Sequence, residues 1–356
     1  MSLLQLPPEL FIHIFNYVGS SDFRSDLSRL TICKEWYEFA KTACYREFDV
    51  TEKTLRRLMS SPHVESSLRL LKDSAETMDI NLQGFEDWDS FGPPPYTVTR
   101  EGLDSIMWMD ARGPSTRTAW SIELNSNLVR LATILQQTQK LRVLRIQAMS
   151  EVDPMFIFWK PREYLFCTGV NTFLAASNLT SLELDLCGSR LKQWDQENDG
   201  EVHICTSVAK LLTTLRRLRL RMRDICAGAL NPPHHSTNLR LDEVLVNLSL
   251  SSGSPLISAV SHARRCGYHG RDSLALKGEM EKQARDLVAQ MAAPKTVRVL
   301  MHEYPNCQLR AFDVLTGKYI DLAEGAEWRD DGEVIKDQVS DEESEISSIT
   351  SFSGGE

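Results

Sequence analysis

The first fifty residues carry apolar side chains at helical spacing, separated by short polar breaks. Leu10–Val18 is apolar at all but two positions, and the prolines at positions 7 and 8 favour the start of a helix there. Gly19 and the polar residues after it predict its end. A second short helix is predicted to begin near residue 25, and a third to span Cys33–Ala43. Three short helices cannot bury this much apolar surface among themselves, so either the rest of the chain covers it or another protein does.

Beyond this segment, residues 51–323 repeat the pattern L-x-x-L-x-L. Copies lie at Leu141–Ile146, Leu179–Leu184 and Leu215–Leu220, with a weaker copy at Leu241–Val246. Helix-like stretches precede the first three, at 128–135, 170–176 and 207–212. An earlier unit is predicted at 55–71, with a helix before Pro62 and a strand at 67–71. The alternation favours stacked βα units, a leucine-rich-repeat-like solenoid with a curved sheet. A non-repetitive α/β domain with leucine-rich strands is the alternative.

Two other stretches of the body break the repeat. Residues 84–120 form an insertion with three tryptophans and the run Pro93–Tyr96, so no long regular element is predicted there. Its aromatic side chains serve either as recognition anchors or to hold the loop on its own domain. Towards the end, the pattern predicts an amphipathic helix at 271–291, a strand at 296–301 and a hairpin at 309–322 that turns at Thr316–Lys318. These elements suit a cap on the open end of the sheet.

The N-terminal pattern resembles an F-box. The resemblance rests on L-P-x-E-L at Leu6–Leu10, the apolar helix after it, the Asp26–Leu27 pair, and C-x-x-W at Cys33–Trp36. It covers about the first 48 residues. The resemblance implies docking to a Skp-type adaptor, and residue-by-residue matching places the following in the adaptor-binding surface: Leu6, Pro7, Leu10, Ile14, Leu27, Leu30, Cys33 and Trp36. Trp36 is either the main anchor of that surface or a packing residue among the three helices. The Ser20–Ser25 connection departs from the motif, being polar and slightly long.

As a whole the chain resembles F-box proteins of filamentous fungi. That likeness implies a non-catalytic substrate receptor of an SCF-type ubiquitin ligase, which connects to a cullin and a RING subunit through the adaptor and presents a protein target on its body. Its mechanism would be positional, raising the effective concentration of the target near the conjugating enzyme. The alternative is a binding or scaffold protein that uses the F-box and adaptor in a non-degradative complex.

Charge and cysteine content narrow the class of protein. The formal net charge of the chain is −9, and residues 324–356 carry all of it, because they hold 11 acidic and 2 basic residues. The rest of the chain has 38 acidic and 38 basic residues. A neutral body argues against non-specific nucleic-acid binding, and the tail is expected to be disordered. The start lacks a secretory signal, and the longest uncharged run, 244–263, is too polar to span a membrane. Eight cysteines without a CxxC pair favour a reducing compartment, cytoplasmic or nuclear.

The overall expectation is therefore an α/β protein in three parts. Residues 1–50 form a three-helix F-box, residues 51–323 an irregular leucine-rich-repeat-like βα solenoid with a C-terminal cap, and residues 324–356 a disordered acidic tail.

Charges on the predicted strands alternate with leucines. When the strands are aligned by their central leucines, Arg145 flanks Glu183, Glu183 lies beside Arg219, and Asp185 lies beside Arg221. This alignment predicts a ladder of neutralised charges across a parallel sheet. The alternative is a basic stripe that binds an acidic or phosphorylated segment of a target. The arginines expected to stay available to a ligand are Arg217, Arg221 and Arg223.

The sequence contains none of the common catalytic signatures, such as a phosphate-binding glycine loop, HExxH or GxSxG. His203 and Cys205 would share one strand face, and His234 and His235 follow two prolines, but two residues do not make a site. No catalytic residue, cofactor or metal is therefore predicted.

Overall fold

A computed structural model describes residues 6–84, 114–149, 164–187, 191, 203–233, 238–250, 262–267, 273–303, 308–323, 330 and 332–334. The described part is mixed α/β. Its α-helices are α1 (Pro8–Val18), α2 (Ser20–Ser25), α3 (Lys34–Cys44), α4 (Glu52–Ser60), α5 (Val64–Ser74), α6 (Pro114–Gln136), α7 (Cys167–Leu174), α8 (Cys205–Leu211) and α9 (Ser273–Val288). Its strands are β1 (Glu47–Val50), β2 (Thr77–Leu82), β3 (Val143–Ala148), β4 (Ser181–Leu186), β5 (Arg217–Met222), β6 (Asp224–Ile225), β7 (Glu243–Asn247), β8 (Arg264–Arg265), β9 (Thr296–Glu303), β10 (Gln308–Asp313), β11 (Lys318–Asp321) and β12 (Glu333–Val334).

One large, mostly parallel sheet organises the body. Its strand order is β1-β2-β3-β4-β5-β7-β9-β10-β11-β12, so each strand lies beside the next one along the chain, apart from the small β6–β8 pair. Neighbours from β1 to β9 are parallel. Parallel neighbours need a crossover, and helices α4 to α9 supply most of these connections. Strands β10, β11 and β12 then extend the sheet in antiparallel fashion.

Aliphatic side chains stack in register across the parallel strands. Leu144, Leu182, Leu218, Val244 and Val297 occupy the same register position on five successive strands, and all are buried. A second such row lies two residues further along each strand. These rows form the centre of the main hydrophobic core, against which the crossover helices pack. The leucine spacing of the sequence is therefore the spacing of one buried sheet face.

Most predicted elements of the body are confirmed. The four L-x-x-L-x-L segments end in β3, β4, β5 and β7, and the helix-like stretches before the first three lie in α6, α7 and α8. The predicted strand at 67–71 is wrong, because these residues lie in α5, whose buried Leu68 and Leu71 follow helical periodicity. The strand of that unit is β2 instead. The predicted insertion is also shorter than expected, since α6 already begins at Pro114; residues 85–113 lie outside the described part.

The C-terminal elements are confirmed and extend further than predicted. The helix at 271–291 corresponds to α9, the strand to β9, and the hairpin to β10 and β11, which turn through Gly317 at a positive φ of 69°. The body does not end at residue 323, because Glu333 and Val334 pair with β11. The guanidinium of Arg298 also donates a hydrogen bond to the carbonyl oxygen of Asp330 at 2.8 Å. Gly332 is also described, and the remaining residues of the predicted acidic tail lie outside the described part.

The N-terminal helices have a small core of their own. Phe11, Phe15 and Phe23 are buried together with Ala40, Ala43 and Cys44 of α3. The polar connection expected at 20–25 is instead helix α2, which Phe23 holds to the other two helices, and a 3-10 helix follows at Leu27–Leu30. The cluster adjoins the body through Tyr45, which contacts both cores.

Candidate functional site

Helix α1 presents two apolar faces, and the described part of the chain covers one of them. Phe11 and Phe15, four residues apart, point into the N-terminal core. Leu10, Ile14 and Tyr17 recur at helical spacing on the adjoining face, where Leu10 is 47% and Tyr17 94% exposed. Pro8 in the first turn and Gly19, with a positive φ of 86°, set the two ends of the helix. The all-round apolar pattern of residues 10–18 therefore divides into a packing face and an uncovered face.

Exposed apolar side chains are concentrated in this N-terminal segment. Six of the ten large hydrophobic residues that are exposed in the described part belong to it. They are Leu10, Ile12, Tyr17, Val18, Ile32 and Tyr37. Exposed apolar surface gathered in one region is typical of a protein-binding site, whereas single exposed residues are ordinary. Ile12, Tyr17, Val18, Ile32 and Tyr37 were not among the residues that the motif assigned to the adaptor.

The structure separates the eight motif-assigned residues by exposure. Pro7 and Leu10 are exposed. Five are half-buried, namely Leu6, Ile14, Leu30, Cys33 and Trp36. Leu27 lies in the 3-10 helix, and its side chain lies outside the described part. The sulfur of Cys33 accepts a hydrogen bond from the backbone N–H of Trp36 at 3.4 Å and so caps α3.

Trp36 packs among the three helices. Its ring lies edge-on to Phe15 at a centroid distance of 4.6 Å and to Phe11 at 6.4 Å. Its indole N–H donates a hydrogen bond to the carbonyl oxygen of Arg29. Of the two roles that the sequence left open for this residue, the contacts are those of the packing role. The side chain of Leu10 is more exposed than that of Trp36.

A row of alternating charges crosses the sheet in the predicted register. Arg145, Glu183 and Arg219 are direct neighbours on β3, β4 and β5, as expected. Arg145 also forms an ion pair with Asp79 of β2 at 3.0 Å, and Arg219 forms one with Glu243 of β7 at 2.5 Å. Burial raises the pKa of Asp79, and the neighbouring Arg145 opposes that rise. The predicted charge ladder is thereby confirmed.

The three arginines predicted to stay available to a ligand differ in their surroundings. Arg217, at the start of β5, is exposed. Arg221 is not available, because it is buried in an ion pair with Asp185, which is the neighbour that the strand alignment assigned to it. Arg223 is half-buried and lines a small pocket together with His203. The prediction of a ligand contact by Arg221 therefore fails, because the alignment that predicts the ladder also pairs this residue.

His203 and Cys205 lie close together, and the fold brings two more cysteines to them. A ring nitrogen of His203 and the sulfurs of Cys205, Cys226 and Cys266 all lie within 4.8 Å of one another. Hydrogen bonds from the thiols of Cys205 and Cys266, aided by His203, hold the pKa of Cys226 far below its ordinary value. Cys226 and Cys266 were not predicted from the sequence, because the three cysteines are 21 and 40 residues apart and follow no recognised spacing. His234 and His235 lie outside the described part.

Two further observations bear on the class of protein. None of the helices in the described residues is long and apolar enough to span a membrane. Compared with known proteins, the chain matches no family model and no curated protein at a significant level.

Proposed function

We propose that the N-terminal helices form an F-box that docks a Skp-type adaptor, and that the chain is a substrate receptor of an SCF-type ubiquitin ligase. The observation that carries the proposal is the uncovered apolar face of α1, which lies within the segment that resembles an F-box. Leu10, Ile14 and Tyr17 of that face contribute little to the core of the helices. Fully burying an exposed aliphatic side chain yields about 1.5–3 kcal/mol, and the partly exposed Leu10 and Ile14 would yield a part of that each, so several such side chains together contribute to a stable complex.

The composition of the N-terminal segment supports a protein partner. Its uncovered face carries aliphatic and aromatic side chains, and its charged groups are partly neutralised by one another, as in the Arg29–Asp22 and Lys41–Glu38 pairs. Interfaces of this kind have an apolar centre with a polar rim. The LP-x-E-L and C-x-x-W motifs narrow the partner to the adaptor, since they are the residues by which F-boxes are identified.

In this proposal the body holds a protein target. A parallel sheet whose strands follow chain order is the arrangement that leucine-rich repeats use, and an extended sheet offers a broad binding surface. Arg217 and Arg223 are the basic side chains proposed to contact an acidic part of the target. In this proposal no residue of the chain performs ubiquitin transfer. The chain instead raises the local concentration of the target beside the conjugating enzyme.

A co-purification experiment tests the adaptor assignment. The full chain is co-expressed with a Skp-type adaptor, and Leu10→Asp is compared with Leu274→Asp, a matched exposed leucine on α9 that is 69% exposed. We expect the adaptor to co-purify with the wild type and with Leu274→Asp, and to be lost with Leu10→Asp while circular dichroism shows an intact fold. Equal recovery with both variants, or none with the wild type, would contradict the F-box assignment.

A second measurement separates degradation from scaffolding. If the chain is a ligase receptor, cullin co-purifies with it, and proteins bound to it accumulate when the proteasome is inhibited. A complex that holds the adaptor without cullin, and whose bound proteins do not change in amount, favours the non-degradative alternative. Trp36→Ala is unsuited to this test, because the contacts of Trp36 with Phe11 and Phe15 make it necessary for the helices themselves.

A further inference from the structure

The cluster of one histidine and three cysteines near the carboxyl ends of β4 and β5 has the chemistry of a metal site. The sulfurs of Cys205 and Cys266 are 3.7 Å apart, and the sulfur of Cys226 is 3.8 Å from Nδ1 of His203. In a tetrahedral zinc site with bonds of about 2.3 Å to sulfur, neighbouring ligand atoms are separated by about 3.8 Å. Two of the six separations between donor atoms therefore already match those of a tetrahedral ion, and all six lie within 4.8 Å.

The fold brings the four residues together from three separate segments. His203 and Cys205 stand at the start of α8, and Cys226 and Cys266 follow directly after β6 and β8. Those two short strands are parallel and in register, so the residues after them lie side by side. The N–H of Cys266 donates a hydrogen bond to the carbonyl oxygen of Ile225 at 3.3 Å, which extends the pairing up to the cysteines.

We infer that His203, Cys205, Cys226 and Cys266 bind one Zn²⁺ ion. Three thiolates and one imidazole form one of the standard ligand sets of structural zinc sites, and thiolates disfavour hard cations such as Mg²⁺ and Ca²⁺. All four positions of the tetrahedron are taken by protein atoms, which is the arrangement of a structural ion and leaves no position for a reacting molecule. This inference is independent of the proposed adaptor binding.

Burial agrees with this assignment. Cys205 is completely buried, and the other three residues are half-buried, so the site is shielded while an ion can still reach it. Three thiolates and Zn²⁺ carry a net charge of −1. Arg223 and Asp224 line the same small pocket as His203 and Cys266 and bring one charge of each sign beside it.

The alternative use of these cysteines is a disulfide. A disulfide requires a sulfur–sulfur distance of about 2.05 Å, well below the 3.7 Å between Cys205 and Cys266. It would also leave the third cysteine and His203 without a role. A zinc ion uses all four residues, and it ties α8 to the small β6–β8 sheet.

Metal analysis of the full chain, purified under reducing conditions, tests the inference. We expect elemental mass spectrometry to find about one zinc ion per chain. Replacement by Co²⁺ should give the visible absorption of a tetrahedral ion together with sulfur-to-cobalt charge transfer. Cys226→Ser combined with Cys266→Ser should lose the ion, whereas Cys33→Ser, at the half-buried cysteine that caps α3, should keep it.

A variant that retains four ligands protects the test against simple misfolding. His203→Cys should still bind one ion, with stronger charge-transfer absorption because a fourth sulfur is added. Zinc should also slow alkylation of Cys226 in the wild type. The inference is overturned if the wild-type chain binds no zinc or gives no tetrahedral cobalt spectrum, if the double variant Cys226→Ser with Cys266→Ser binds zinc as the wild type does, or if peptide mapping finds a disulfide among the three cysteines.

Discussion

Asp185 on β4 lies directly opposite Arg221 on β5, and two hydrogen bonds join the carboxylate and the guanidinium. The pair is buried, with Asp185 2% and Arg221 8% exposed. A buried ion pair of this geometry contributes little net stability when both partners are present, but the loss of one partner leaves an uncompensated charge. Asp185–Arg221 is thus a register-specific contact between adjacent strands of the sheet.

Breaking this pair should destabilise the body strongly. We expect Asp185→Ala to lower the free energy of unfolding by about 3–5 kcal/mol, because the buried guanidinium of Arg221 would lose the carboxylate that accepts two of its hydrogen bonds. Urea unfolding followed by circular dichroism measures the change. Arg217→Ala, an exposed arginine on the same strand, is the control and should change it by less than about 0.5 kcal/mol.

The double variant Asp185→Leu with Arg221→Met should recover most of that loss, because both charges are then absent. A loss equal to that of Asp185→Ala would show that the pair is not the cause.

Phe15 should be necessary for the N-terminal helices and much less so for the sheet. It is 1% exposed and contacts Phe11, Phe23 and Trp36, so Phe15→Ala should cost the helices about 3–5 kcal/mol. Hydrogen exchange should then show faster exchange in α1 and α3 than in β4. Tyr17→Ala, at a position that is 94% exposed, should leave exchange unchanged. Uniform loss of protection across the chain would argue against a separate N-terminal core.

His302 should make the protein less stable in mild acid. Burial, and secondarily the neighbouring His262, lower the pKa of His302 below its ordinary value of 6.5. The unfolded chain therefore takes up a proton at His302 at a pH where the folded protein does not. As the pH falls below about 6.5, this difference in proton binding favours the unfolded chain, so the stability of the protein decreases. His302→Gln should reduce the slope of stability against pH between about 7.5 and 5.5. Identical slopes for the wild type and this variant would refute the assignment.

The boundary of the folded body can be tested by truncation. A chain that ends at Val334 should keep the melting temperature of the full chain, because the composition of residues 335–356 predicts disorder. A chain that ends at Ala323 should melt lower, because it loses β12 and the carbonyl of Asp330 that the buried Arg298 uses. If both truncations melt like the full chain, β12 contributes nothing to the body.

The register of the sheet could be predicted from sequence because it depends on local periodicity. Leu144, Leu182 and Leu218 each occupy the middle of an L-x-x-L-x-L segment, and a one-residue slip would expose all of them. Aligning these leucines therefore also placed Arg145, Glu183 and Arg219 side by side. The failed strand at 67–71 shows the limit of this reasoning, since a run of leucines fits one face of a helix as well as a strand.

The exposure of individual side chains was decided only by the tertiary structure. The sequence showed that α1 is apolar on nearly all sides. It left open which of its side chains would be covered, as Phe15 is by α3, and which would stay exposed, as Leu10 does. That outcome depends on how the helices meet, which no local pattern records. The role of Trp36 was likewise decided only by the tertiary structure, since its packing role follows from its contacts with Phe11 and Phe15.

By itself, then, the sequence determined the alternation of helices and strands, the pairing of strand charges and the apolar character of the first helices, because each follows from residues close together in the chain or from repeated spacing. Only the tertiary structure decided that Arg221 is buried, that β12 extends the sheet, and that Cys205, Cys226 and Cys266 meet His203. Those contacts join segments up to 63 residues apart, counted from His203 to Cys266. Their closeness is set by the crossover geometry and the pairing of β6 with β8, which the spacing of residues along the chain does not encode.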